Sequence, residues 1–151
     1  MIKLSRLTDY AIVILTQMAL EGKGVHAASV LADKTFLPLP TTSKVLKQLT
    51  KAGVLHAQRG ASGGYALARE PSEISVASLI EALDGPIAIT DCSGGTGDDG
   101  CCSVAETCPT RGNWNKVNVA IRAALQAVTL ADMTAKDGGE RPMMIGAASA
   151  S

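Results

Sequence analysis

The chain has 151 residues and a formal net charge of zero, but residues 1–70 carry nine Lys and Arg against four Asp and Glu, while residues 71–151 carry five against ten. A basic first half suits a polyanion, and with aromatics at only 3% the core falls to Leu, Ile, Val, Met and Ala, a composition that favours helices in one domain with an added arm. The longest apolar run, around residues 11–15, is far short of the roughly 20 residues of a membrane span, and no signal-peptide cleavage pattern opens the chain, so a cytoplasmic protein without a membrane partner is expected.

Ser5 is a candidate N-cap, and Leu7, Tyr10, Ala11, Ile14, Leu15, Met18 and Ala19 recur at helical spacing behind it, predicting an amphipathic helix that ends near Glu21 and Gly22. A short second helix follows from Ala27 to about Thr35, broken by Phe36-Leu37-Pro38-Leu39. Pro40 is tolerated in the first turn of a third helix, whose buried stripe is Val45, Leu46, Leu49 and Ala52 and whose end is Gly53. Helix, compact turn and helix make a helix-turn-helix pattern. Thr41, Thr42 and Ser43 at the head of its last helix are placed to approach bases, and Lys44 and Lys47 to meet phosphates. Residues 54–57 and 65–68 read as two strands around the turn 59–64, a wing with Arg59 at its tip and Ser62 and Tyr65 beside it.

Pro71 closes the wing, and Ser75 caps a fourth helix carrying Val76, Leu79, Ile80 and Leu83, stopped by Gly85-Pro86. A long helix is predicted from about Asn113 to Met133. Its apolar residues spread over too much of its circumference for one small domain to cover, which predicts a helix pair across a homodimer twofold axis, with Trp114 in the packing at its start. From Ala135 onward a Gly, Ala and Ser rich tail is expected to be disordered. His26 and His56 read as surface or turn residues, and the absence of a nucleophile triad, phosphate loop or carboxylate pair argues against an enzyme.

All four cysteines, Cys92, Cys101, Cys102 and Cys108, fall between residues 91 and 112 in a stretch rich in glycine and polar residues that has no core of its own. In a reducing compartment such a cluster points to metal ligation or redox sensing rather than structural disulfides. Thiolates suit iron–sulfur clusters, zinc or cuprous ion. Zinc fits poorly, because its structural sites usually draw ligands from two short paired knuckles. Oxidative pairing of Cys92 with Cys101 or Cys102 stays open.

The segments LTDYAI, LTKAG, RGASGGY and ISVASLIEALDG, with the cysteine stretch and Trp114, resemble the Rrf family of bacterial winged-helix regulators over roughly residues 1–134. LPLPTTSKVLKQL and CCSVAETCPTRGNW are most similar to its subgroup that regulates the SUF iron–sulfur assembly system. The resemblance implies a mainly α fold with a small two-stranded β wing: a winged helix-turn-helix DNA-binding domain at 1–85, a cluster-binding loop at 86–112, a dimerisation helix at 113–134 and a tail at 135–151. It further implies a two-iron or four-iron iron–sulfur cluster. Five residues separate Cys102 from Cys108, the spacing the family commonly has between its last two ligands, so Cys92, Cys102 and Cys108 are the first choice. The fourth ligand would be Cys101 or, second, Asp9, which lies where nitric-oxide-sensing members carry a ligating aspartate. IscR-like members place a histidine three residues after the last cysteine, where this chain has Arg111, which cannot ligate.

The expected function is a homodimeric repressor or other transcription regulator whose hold on double-stranded promoter DNA depends on the cluster, with iron–sulfur assembly genes as targets. The competing expectations are a thiol-oxidation sensor without metal and a cluster carrier that does not bind DNA.

Overall fold

The computed structural model describes residues 3–90 and 107–135. Cys92, Cys101 and Cys102, and the tail expected to be disordered beyond Ala135, lie outside the described residues. The elements are helices α1 (Arg6–Glu21), α2 (Ala28–Thr35) and α3 (Leu39–Lys51), strands β1 (Leu55–Gln58) and β2 (Gly64–Leu67), a 3-10 turn at Pro71–Glu73, then helices α4 (Val76–Asp84), α5 (Arg111–Ala127) and α6 (Leu130–Met133).

Helix α1 starts where the sequence says it should. The Ser5 hydroxyl accepts the Thr8 N–H at 3.1 Å, satisfying one of the orphan donors of a helix start. Behind that cap Thr8, Ala11, Ile12, Ile14, Leu15 and Met18 are buried, and they meet Leu31 of α2, Val45, Leu46 and Leu49 of α3, and Leu79 and Ile80 of α4 in one core. Helix α4 repeats the device, its Ser75 cap accepting the Ser78 N–H at 3.1 Å.

The two strands pair antiparallel in the register Leu55 with Leu67 to Gln58 with Gly64. His26 joins from the loop after α1: its N–H donates to the Tyr65 carbonyl at 2.8 Å and its carbonyl accepts the Tyr65 N–H at 2.9 Å. The backbones approach so closely there that a Cβ on Gly64 would collide with the His26 carbonyl, so glycine is required for a packing reason rather than for the turn alone. His26 is thus part of the wing's third edge, while His56 is exposed as expected.

The single helix expected over residues 113–133 is corrected to two. Helix α5 ends at Ala127, Val128 takes an extended conformation with φ −97° and ψ 125°, and the stretch pairs with the start of α4. The Val76 N–H donates to the Val128 carbonyl at 2.9 Å and the Leu130 N–H to the Ile74 carbonyl at 2.8 Å. Thr129 then caps α6 by a reciprocal box with Asp132. The break drives Leu130, wholly buried, into the same core as α1. Two β-branched residues before a capping aspartate favour this break over a continued helix. Helix α5 itself packs on α4, where Arg122 pairs with Glu81 at 3.0 Å. Trp114, expected in the packing at the start of the dimer helix, is 40% exposed in the single chain.

Candidate functional site

Helix α3 is divided lengthwise. Thr42, Val45, Leu46 and Leu49 are buried, whereas Pro40, Lys44, Lys47, Gln48 and Lys51 are exposed and Ser43 is half-buried beside them. The outer face therefore offers three lysines along one helix with no acidic residue of α3 to neutralise them. Lys51 and Gln48 were not singled out from the sequence, although Lys51 lies one helical turn beyond Lys47. Thr41 is half-buried at the start of this face. Thr42 is a correction: it is wholly buried, and its hydroxyl donates to the Pro38 carbonyl at 3.2 Å, so it points into the core rather than toward a base.

At the wing, Arg59 and Ser62 are exposed at the tip, and the Gly63 N–H closes the turn on the Gly60 carbonyl at 3.0 Å. Gly60 has φ 119°, a conformation that favours glycine. Tyr65 is half-buried and packs against the core, so it supports the wing more than it extends from it. The base of the wing is fastened by charged and polar side chains. Glu21 meets Lys34 at 2.8 Å and His26 at 3.3 Å, and hydrogen bonds from Lys34 and then Gln17 hold its carboxyl below its ordinary pKa. Glu70 holds the Lys23 ammonium above its usual range, and this pair lies in the lining of a cleft of about 620 Å³ between the end of α1 and β2.

Of the candidate ligands, Cys108 and Asp9 are described. Cys108 is half-buried, two residues before the Thr110 cap of α5, and its Sγ lies 3.4 Å from the Thr110 hydroxyl. A cysteine sulfur is a soft donor. This donor fits a soft metal centre. Asp9 is exposed in the first turn of α1. Among the described residues no group of three or more His, Cys, Asp or Glu stands ready for a metal.

The structure does bring the segment leading into the cysteine stretch to the head of α1. Asp84, the last residue of α4, accepts from the Ser5 hydroxyl at 2.6 Å and from the Ser5 N–H at 3.3 Å. The chain leaves for the cysteine stretch directly after it. Ile87 and Ile89 of that exit line a cleft of about 390 Å³ with Lys3, Leu4, Ile121 and Leu125. The segment before α1, the end of α4 and the second half of α5 thus meet around one cavity.

The model of the Rrf2 family, described as iron-dependent transcriptional regulators, matches residues 4–136. The chain belongs to the Rrf2 family. The repressor NsrR of Streptomyces coelicolor is 29% identical over 146 residues, covering 95% of each protein. Among solved structures, IscR of T. potens superposes with a TM-score of 0.63 at 32% identity, over 87% of this chain and 85% of that one. CymR, the global cysteine regulator of B. subtilis, superposes with a TM-score of 0.69 at 27% identity, over 89% of this chain and 97% of that one. Membership makes this Rrf2 chain a winged-helix transcriptional regulator and not an enzyme. No helix among the described residues is long and apolar enough to cross a membrane.

Proposed function

We propose that this Rrf2 protein is a homodimeric DNA-binding regulator whose operator occupancy depends on an iron–sulfur cluster, two-iron or four-iron, held by Cys92, Cys102 and Cys108 with Cys101 or Asp9 as fourth ligand. The observation that carries the DNA-binding part is the division of α3. Its buried side is apolar and its outer side sets Lys44, Lys47 and Lys51 in a row with Thr41 and Ser43 at the N-terminal end, the arrangement by which a recognition helix meets phosphates and base edges. Arg59 at the wing tip is suited to a narrow minor groove. Double-stranded promoter DNA with two half-sites is the partner this geometry suits, and iron–sulfur assembly genes of the SUF type are the targets suggested by LPLPTTSKVLKQL and CCSVAETCPTRGNW.

The cluster, when bound, supplies a centre sensitive to iron, oxidants and nitric oxide. The chain's own residues supply the connection to DNA. Asp84 grips the N-cap of α1, and α1 carries Leu15 and Met18 into the core that also holds Val45 and Leu46 of α3. A displacement at the root of the cysteine stretch therefore acts on the helix against which the recognition helix is packed. A coupling of about 1–3 kcal/mol between the two states changes affinity 5- to 150-fold.

The test is anaerobic DNA binding by the full-length protein, cluster-loaded and stripped, on the promoter upstream of its own operon. A change in affinity within that range is expected. Identical occupancy by the two forms on every promoter fragment sinks the coupling. Absorption spectra of anaerobically isolated protein decide the competing metal-free reading, in which the half-buried Cys108 thiol and its neighbours respond to oxidation directly. A colourless protein that binds DNA only when reduced favours that sensor.

A further inference from the structure

The turn between α2 and α3 is apolar and exposed where the adjoining face of α3 is basic. Phe36, the one phenylalanine of the chain, is 94% exposed, and among the described residues it is the one non-glycine with positive φ, at 56°. Its backbone task is to end α2, with its N–H donating to the Ala32 carbonyl. Glycine performs that task without the clash a Cβ meets in the left-handed region. Nor does the ring serve the core, since it is the next residue, Leu37, that packs inward. Three residues on, Leu39 opens α3 while 48% exposed. A side chain that strains the backbone and buries nothing, beside a binding element, points to a contact outside the chain.

The rest of α3 indicates what that contact is. Leu39, Ser43 and Lys47 are four residues apart and share one stripe of the helix, so the apolar end runs without a break into the basic face proposed to enter a major groove. The apolar group which that groove displays is the C5-methyl of thymine. We propose that Phe36 and Leu39 contact thymine C5-methyl groups in the major groove and select T at positions beside those approached by Thr41 and Ser43. This rests on the DNA-binding reading above and adds to it a sequence-determining role that charge alone does not supply.

The experiment uses full-length protein and a duplex obtained by in vitro selection with the unmutated chain. Each thymine of that duplex is replaced singly by deoxyuridine, which removes the methyl group and keeps base pairing. One or two replacements per half-site are expected to weaken binding about fourfold, the effect of about 0.8 kcal/mol for one buried methyl. That penalty is expected to vanish in F36N or L39A and to persist in K44A, which weakens all duplexes alike. Asparagine and glycine both accept the left-handed conformation, so F36N and F36G are expected to melt at or above the parent temperature, which separates a lost contact from lost folding. The proposal is overturned if deoxyuridine is neutral at every position, or if its penalty is the same in F36N and L39A as in the parent. F36N with parental duplex affinity assigns Phe36 to another partner and also overturns it. Failure to select any duplex would remove the DNA-binding reading itself and this inference with it. Selection and K44A weakening with neutral deoxyuridine remove only the methyl contact.

Discussion

Helices α3 and α5 are both amphipathic, yet they leave opposite faces to solvent. On α3 the apolar stripe is buried in the core of its own domain and the lysines look outward. On α5 one stripe runs from exposed Trp114 to buried Asn118 and half-buried Ile121 and Leu125, and Val117 and Val119 are exposed to either side of it, Val119 at 59%. The difference teaches what each helix is for. An outward polar and basic face is stable in water and available to a polyanion, whereas several large apolar side chains exposed on one helix call for a protein cover. A second copy of the chain is the cover proposed here, its α5 packed on this one across a twofold axis.

The comparison breaks most severely if α6 belongs with α5 rather than with the core that supports α3. Leu130→Ala should cost about 2–5 kcal/mol of folding stability, the range for emptying a wholly buried leucine site, as measured by urea denaturation. A loss confined to dimer association, with no change in the unfolding of the monomer, would return residues 130–133 to the dimer arm.

Val119→Glu sharpens the other side. A carboxylate buried in an apolar interface without a partner should weaken the dimer by about 3 kcal/mol, more than 100-fold in its dissociation constant. Sedimentation velocity reads the monomer fraction directly. An unchanged dimer means that α5 meets its cover elsewhere.

Smaller effects separate the basic face from the wing. Each phosphate contact contributes about 0.9 to the slope of log affinity against log salt, so K44A with K47A should flatten that slope by about two units and R59A by about one, weakening binding across sequences. Salt titrations by fluorescence anisotropy measure both. A slope that does not move for the lysine pair would take α3 out of the interface.

The smallest expected effect concerns the junction of α1, α2 and the wing. Lys34 and Gln17 hold the Glu21 carboxyl below its ordinary pKa, so its ion pair adds stability that is complete above the ordinary carboxylate pKa and disappears as pH falls through the lowered one. Glu21→Gln should flatten the acid side of the stability curve and leave the neutral side of that curve's shape unchanged. Melting curves across the acid range check the sign.

Much of α1 to α4 was legible because each signal is local. Ser5 and Ser75 cap within three residues, the buried stripes repeat at helical spacing, and Gly60 and Gly63 mark the wing turn. Thr42 was misread because composition at a helix N-terminus does not say which way a given residue faces. Its neighbours Thr41 and Ser43 are half-buried at the edges of the outer face, and one helical step of about 100° sends the middle residue into the core. Phe36 went unsingled for a similar reason: an aromatic inside an apolar run reads as core until the backbone places it.

The break at Val128 and Thr129 had local signals too, a β-branched pair and a cap with Asp132, but the helical period of the alanines on either side outweighs them when only neighbours along the chain are counted.

The amino-acid order alone determined the helix-turn-helix, the wing, the basic first half and the gathering of four thiols in one stretch, since each depends on spacing within a few turns of chain. Only the tertiary structure decided that Asp84 grips the head of α1 and that Leu130 returns to the core. Those outcomes join residues as much as 79 positions apart, and such contacts are set by how packed helices share a core, which no local periodicity encodes.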